Sequence, residues 1–180
     1  MIRMAIASAL GAAIVTTASA AMAPANAPVA NLDLQRYAGQ WHEIAHLAMF
    51  FQRRCVDQIT ATYTANADGT VAVDNACRTK HGKMQASSGV ARRVGGRSGA
   101  LEVRFAPRVL SWLPWVWADY WVIDLDPGYQ WAMVGGPSQK YLWVLSRAPS
   151  MDTRLFTRLR DSARERGYPV DKLVMTAPLD

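Results

Sequence analysis

The strongest constraint in this chain is a period of two. Between residues 57 and 64, Ile59, Ala61 and Tyr63 alternate with Thr60, Thr62 and Thr64, as in a strand that turns one face to a core. The same period returns at Val71 and Val73, and again at Leu101, Val103 and Phe105, which alternate with Glu102 and Arg104. Residues 87–94, 120–125, 130–134 and 141–145 read as further strands. Turn-forming clusters separate them, at Asn66-Ala67-Asp68-Gly69, at 95–99, at Asp126-Pro127-Gly128 and at Gly135-Gly136-Pro137. Short strands spaced this way predict an antiparallel barrel or sandwich. One segment departs from the pattern. Over 151–166, Leu155, Phe156, Leu159 and Ala163 recur at helical spacing, with Ser150 or Asp152 to cap the start and Gly167 to end it. Residues 172–175 read as a last short strand. The 180 residues suit one domain, and a hydrophobic content of 51% is enough for a sizeable core.

Against that background, residues 37–46 carry two incompatible meanings. From His42 they spell His-Glu-x-x-His, the pattern of a zinc metallopeptidase. On a helix, His42 and His46 would stand about 6 Å apart along the axis and share a metal, with Glu43 as general base. On a regular strand they share a face but lie about 13 Å apart, too far for one ion. The surroundings favour a strand, because no helix start precedes the motif. A third ligand is also lacking, since only His81 remains among the histidines, although a carboxylate can substitute.

The first 27 residues differ in kind. Met1-Ile2-Arg3 is a short positive start, 4–15 is apolar apart from Ser8, and the segment that follows ends Ala18-Ser19-Ala20. This is the layout of a secretory signal peptide, with cleavage after Ala20 or Ala27. The apolar run is short and alanine-rich for a membrane span. No cysteine near the cleavage site offers a lipid attachment point, so the mature protein is expected to be soluble, periplasmic or secreted. Removal of Arg3 takes the formal charge from +6 to +5. Its basic residues are scattered, without a nucleic-acid motif, and fit a mild attraction to anionic lipid. In an oxidising compartment Cys55 and Cys77 are expected to pair. An ideal ladder would not set them opposite each other, so a bulge or a loop at Cys55 is needed. Two free thiols are the alternative.

Three segments together resemble the lipocalins, most closely the bacterial ones related to apolipoprotein D. They are 37–45 with Gly39-x-Trp41, then 120–126 followed by Tyr129, then 141–149 with Arg147, leading into the helix. The resemblance covers residues 31–180. It implies an eight-stranded antiparallel up-and-down β-barrel, closed at one end, with a C-terminal α-helix packed on it. It also implies structural roles for Gly39, Trp41 and Arg147, with Trp41 plugging the closed end and Arg147 across it, a cation–π pair. With that fold, the leading function is binding and transport or storage of a small hydrophobic ligand, with no reaction and no cofactor, and we expect the ligand to be of the fatty acid or lysophospholipid class.

Alternation then nominates lumenal residues: Trp143 with Tyr141 and Leu145, Trp117 with Trp121 on an early-starting sixth strand, Tyr63, Val73, Asn75 and Phe105. The alternative is a filled core without a cavity. Trp112, Trp115 and Trp117 crowd a proline-containing loop that is too apolar for an ordinary surface connection. In the implied topology it lies at the open mouth, near Phe50, Phe51, Arg53, Arg54, Lys80, His81 and Lys83. We expect this rim to touch bilayers and to admit a lipid tail-first. A lid over the mouth or a dimer contact is the alternative, so monomer and homodimer both stay open. An enzyme on the same fold would need a free Cys77, or an inward-facing His42 and Glu43.

Overall fold

Eight strands close on themselves in a computed structural model that describes residues 24–49 and 52–180. The expected signal segment falls, up to residue 23, outside the described residues, as do Phe50 and Phe51. After a short helix α1 (Leu34–Tyr37) come β1 (Gly39–Leu47), β2 (Cys55–Ala65), β3 (Val71–Thr79), β4 (Met84–Arg93), β5 (Ala100–Arg104), β6 (Ala118–Leu125), β7 (Trp131–Gly135) and β8 (Trp143–Ser146). Each strand pairs antiparallel with the next, and β1 pairs with both β2 and β8, which closes the barrel. The α2 helix (Thr153–Glu165) follows, then β9 (Leu173–Met175), which pairs with the second half of β1. Of the two capping residues named above, Asp152 does the work, accepting the Leu155 N–H at 2.8 Å. Gly167, at φ +91°, ends the helix.

Two apolar cores result. Trp41, Tyr63, Val73, Leu101, Val122, Val134 and Leu145 fill the barrel interior. Ile44, Met133 and Val144 turn outward and pack against Phe156, Leu159 and Ala163 of α2. Paired residues share a face, so β6, β7 and β8 supply both cores by alternation, whereas β2 to β5 fill only the interior. In β1 this alternation breaks. A bulge lies between Glu43, opposite Leu145, and Ala45, opposite Val144. Ile44 and Ala45 both join the outer core. Glu43 and His46, opposite Leu145 and Trp143, therefore both face the lumen, while His42 pairs with Ser146 on the outer face.

The floor is built from the Gly39-x-Trp41 motif. Trp41 is fully buried, and its Nε1–H donates to Tyr37 O at 2.8 Å. The Arg147 guanidinium lies 3.9 Å from the Trp41 ring centre. It donates to the carbonyls of Arg36, Tyr37, Ala38, Gln40 and Tyr129. Gly39 has φ +95°, and a Cβ there would stand 3.2 Å from Arg147 Nη1, so backbone conformation and space both call for glycine.

Candidate functional site

Just above the floor, three tyrosines from three elements meet. Tyr120 OH lies 2.8 Å from Tyr37 OH and 2.8 Å from Tyr63 OH. Burial strips these hydroxyls of water and penalises their anions. Loss of hydration pushes Tyr63 up to about 12, and it holds Tyr37 and Tyr120 well above the ordinary phenol range. Beside them, lined also by Leu34, Val71, Val73, Ala91 and Leu101, is a cavity of about 10 Å³, room for about one water. The lower lumen is thus packed. Higher up, the inner face is accessible: Gln85 is opposite Cys77, Ser87 is opposite Asn75, and both Gln85 and Ser87 are exposed.

On the β1–β8 wall sits a buried polar group. Glu43 and His46 are 5% and 6% exposed. His46 Nδ1 and Glu43 Oε1 are 2.6 Å apart. The other carboxylate oxygen accepts from Gln52 Nε2 at 2.8 Å, and Trp143 Nε1–H donates to Gln52 Oε1 at 3.1 Å. Thr176, just after β9, donates its hydroxyl to Glu43 O at 2.9 Å. A carboxylate this deep holds its place only because donors surround it.

Several expected lumenal residues gather here. Tyr63, Val73, Trp143 and Leu145 are on the inner face. Asn75 is opposite Ala61 on that face, and its Oδ1 is buried without a partner among the described residues. Phe105 follows β5 and lays its ring over Gly89, where a Cβ would come within 2.8 Å of it. Tyr141 precedes β8 at the mouth, its ring 6.2 Å from Trp143.

Two residues require correction. Trp121 is opposite Ala100 and Gly135 and packs towards α2, on the outer face. Tyr120 is the inward residue at that level, in register with Leu101. Trp117 precedes β6 and lies against the outside of the barrel, 3.9 Å from Arg92 and 5.2 Å from Arg104 by ring centre and guanidinium carbon. The sixth strand starts at Ala118, so its parity runs opposite to the one assumed. The expectation that His42 and His46 share a strand face is corrected too: the bulge sends them to opposite sides. The helix required by the zinc reading is replaced by β1. Sequence alternation from Trp41 would find Glu43 inward. It misses His46, because nothing in 42–46 marks the bulge, and it passed over Tyr37 and Tyr120.

At the mouth, Cys55 and Cys77 form a disulfide with Cα atoms 5.5 Å apart. Two register shifts in β2, between Cys55 and Asp57 and between Asp57 and Thr60, supply the offset that an ideal ladder lacked. Gln58 takes φ +50° there. The 105–117 connection exposes Val109, Trp112 and Trp115 by 76%, 77% and 77%. Arg53, Arg54, Lys80, His81, Lys83 and Arg108 are exposed at the same end.

A family profile described as a lipocalin-like domain matches residues 32–178. The chain is 39% identical over 155 residues to temperature-induced lipocalin-1 of Arabidopsis thaliana, covering 84% of this chain and 82% of that one. It is 33% identical over 171 residues to the outer membrane lipoprotein Blc of Escherichia coli K12, covering 94% and 93%. Among solved structures, insecticyanin from the tobacco hornworm Manduca sexta superposes with a TM-score of 0.65 at 20% identity, over 85% of this chain and 84% of that one.

Proposed function

Because the chain belongs to the lipocalin family, whose members bind small hydrophobic ligands, we propose that it carries or stores one acyl lipid, of the fatty acid or lysophospholipid class, in its barrel. The observation that supports this most is the division of the lumen. The floor is sealed by Trp41 and Arg147, whereas the inner face towards the mouth is accessible and joins apolar wall to a buried polar group. An amphiphile with one chain and one headgroup suits that combination. We take the protein to work in the periplasm or outside the cell, after removal of its leader, where the Cys55–Cys77 bond persists.

The mouth loop supports delivery at a membrane. Trp112 and Trp115 extend into solvent beside basic groups, and indoles favour the interface while Lys and Arg attract anionic headgroups. Among the described residues no helix is long and apolar enough to cross a membrane. Contact is therefore proposed through the loop, lying on the surface. A lipid-transforming reaction has less support: Cys77 is held in the disulfide, and Glu43 already accepts from His46 and Gln52.

Native mass spectrometry of protein isolated from a lipid-containing host tests the carrier reading. One acyl lipid per chain is expected, and bare polypeptide after incubation with excess lysophospholipid would sink it. Liposome flotation tests the surface part. Trp112→Ser/Trp115→Ser is expected to abolish co-flotation with anionic vesicles, and flotation equal to wild type would refute the contact.

A further inference from the structure

The polar group on the β1–β8 wall contains more than an acyl carrier needs. Gln52 belongs to the loop between β1 and β2, yet its carboxamide reaches the lumenal polar group and bridges the two paired strands of that wall. Its oxygen takes the Trp143 indole hydrogen at 3.1 Å, and its nitrogen donates to Glu43 Oε2 at 2.8 Å. The remaining oxygen of Glu43 is engaged by His46 Nδ1 at 2.6 Å. Without Gln52, the wall would present one donor beside one acceptor, spaced to fit a single amide. Neither is easily left alone. A buried polar group without a partner is destabilising, so whatever displaces Gln52 has to offer the same pair of bonds.

We propose that the Gln52 carboxamide holds the place of a ligand headgroup, and that the site selects lipids whose headgroup combines an acceptor with a neutral donor. Amides fit, and so does a hydroxyl near an ester carbonyl, as in a monoacylated glycerol. An ionised fatty acid does not. One of its oxygens can accept from Trp143, but the other faces Glu43 Oε2, two like charges in a poorly solvated place. Discrimination of this kind arises from what the site repels as much as from what it attracts. The proposal rests on the reading of the lumen as a lipid site and narrows the class within it, towards headgroups of the lysolipid type and away from the free acid.

The test is displacement of the fluorescent probe phenylnaphthylamine by lauramide and by laurate, at about pH 8, where the acid is ionised. Wild type is expected to bind lauramide about tenfold more tightly than laurate. Glu43→Gln keeps the shape of the side chain but removes its charge, and it is expected to close most of that gap by improving laurate. Gln52→Ala removes the competing carboxamide from a partly exposed loop residue and is expected to strengthen lauramide binding severalfold. Equal affinities for the two ligands in wild type and in Glu43→Gln, or weaker lauramide binding by Gln52→Ala, would overturn the headgroup assignment while leaving the lumen as the binding site. Failure of either ligand to displace the probe from folded wild type would instead remove the carrier reading itself.

Discussion

Single residues decide the floor of this barrel. Gly39 was legible as part of a motif, but its reason is local: φ +95° and an arginine nitrogen 3.2 Å from where a Cβ would stand. Gly39→Ala is expected to destabilise by about 1–3 kcal/mol, read by urea unfolding, because it combines an unfavourable φ with a crowded contact. The tyrosine cluster was not legible, since three hydroxyls from α1, β2 and β6 meet only when the barrel closes. Tyr120→Phe removes the middle hydroxyl and leaves Tyr37 and Tyr63 facing each other without it. A loss of about 1–3 kcal/mol is expected from the groups left unsatisfied. The cluster also has a pH signature. Its folded-state pKa values are raised above the ordinary phenol value, with Tyr63 at about 12. Below about pH 10 both folded and unfolded chains keep these protons and the stabilisation is complete. Above that, the unfolded chain releases protons first, so stability falls as pH rises towards 12. Ultraviolet titration should therefore show these three phenols ionising only with unfolding. Their ionisation in step with Tyr141, the one exposed tyrosine among the described residues, in a folded barrel would contradict this.

At the scale of elements, alternation explains most of the strands, and its failures are bulges and strand starts. The sequence period placed Tyr63, Val73, Leu101 and Trp143 correctly, because each lies on a strand whose parity is unbroken from a recognisable turn. It misplaced Trp117 and Trp121, because a proline-containing loop hides where β6 begins, and it hid His46 behind an unmarked bulge. Trp117 has a different use from the one expected. Gripped by Arg92 and Arg104, with its indole N–H donated to Ser111 O at 2.8 Å, it roots the mouth loop on the outside of the barrel. Trp117→Ala is expected to cost about 1–2 kcal/mol of loop anchoring and to raise hydrogen exchange across 105–117 while the strands stay protected. The disulfide closes a separation of 22 residues. Cys55→Ser/Cys77→Ser is expected to lose about 3 kcal/mol by denaturant unfolding, and an unchanged midpoint would remove its structural role.

For the whole molecule, the chain's economy lies in using one alternating pattern for two cores, one inside the barrel and one under α2. That double use was partly visible, since the helix at 151–166 and the strands were both read from their periods. Which half of the lumen is filled was invisible, because an apolar strand face looks the same whether it meets another side chain or a ligand. The closed barrel packs its lower half with aromatic rings and concentrates its unusual polarity, Glu43, His46, Gln52 and Trp143, where an amphiphile entering from the mouth would meet it. The most direct measurement is a nitrogen-proton correlation spectrum of the indole groups of the seven tryptophans, recorded while a lysophospholipid is added below its micelle concentration. The Trp143 indole signal is expected to shift and saturate, while that of Trp41, sealed in the floor, stays fixed. A stationary Trp143 signal, with Trp112 and Trp115 alone responding, would place the lipid on the surface and contradict binding in the barrel.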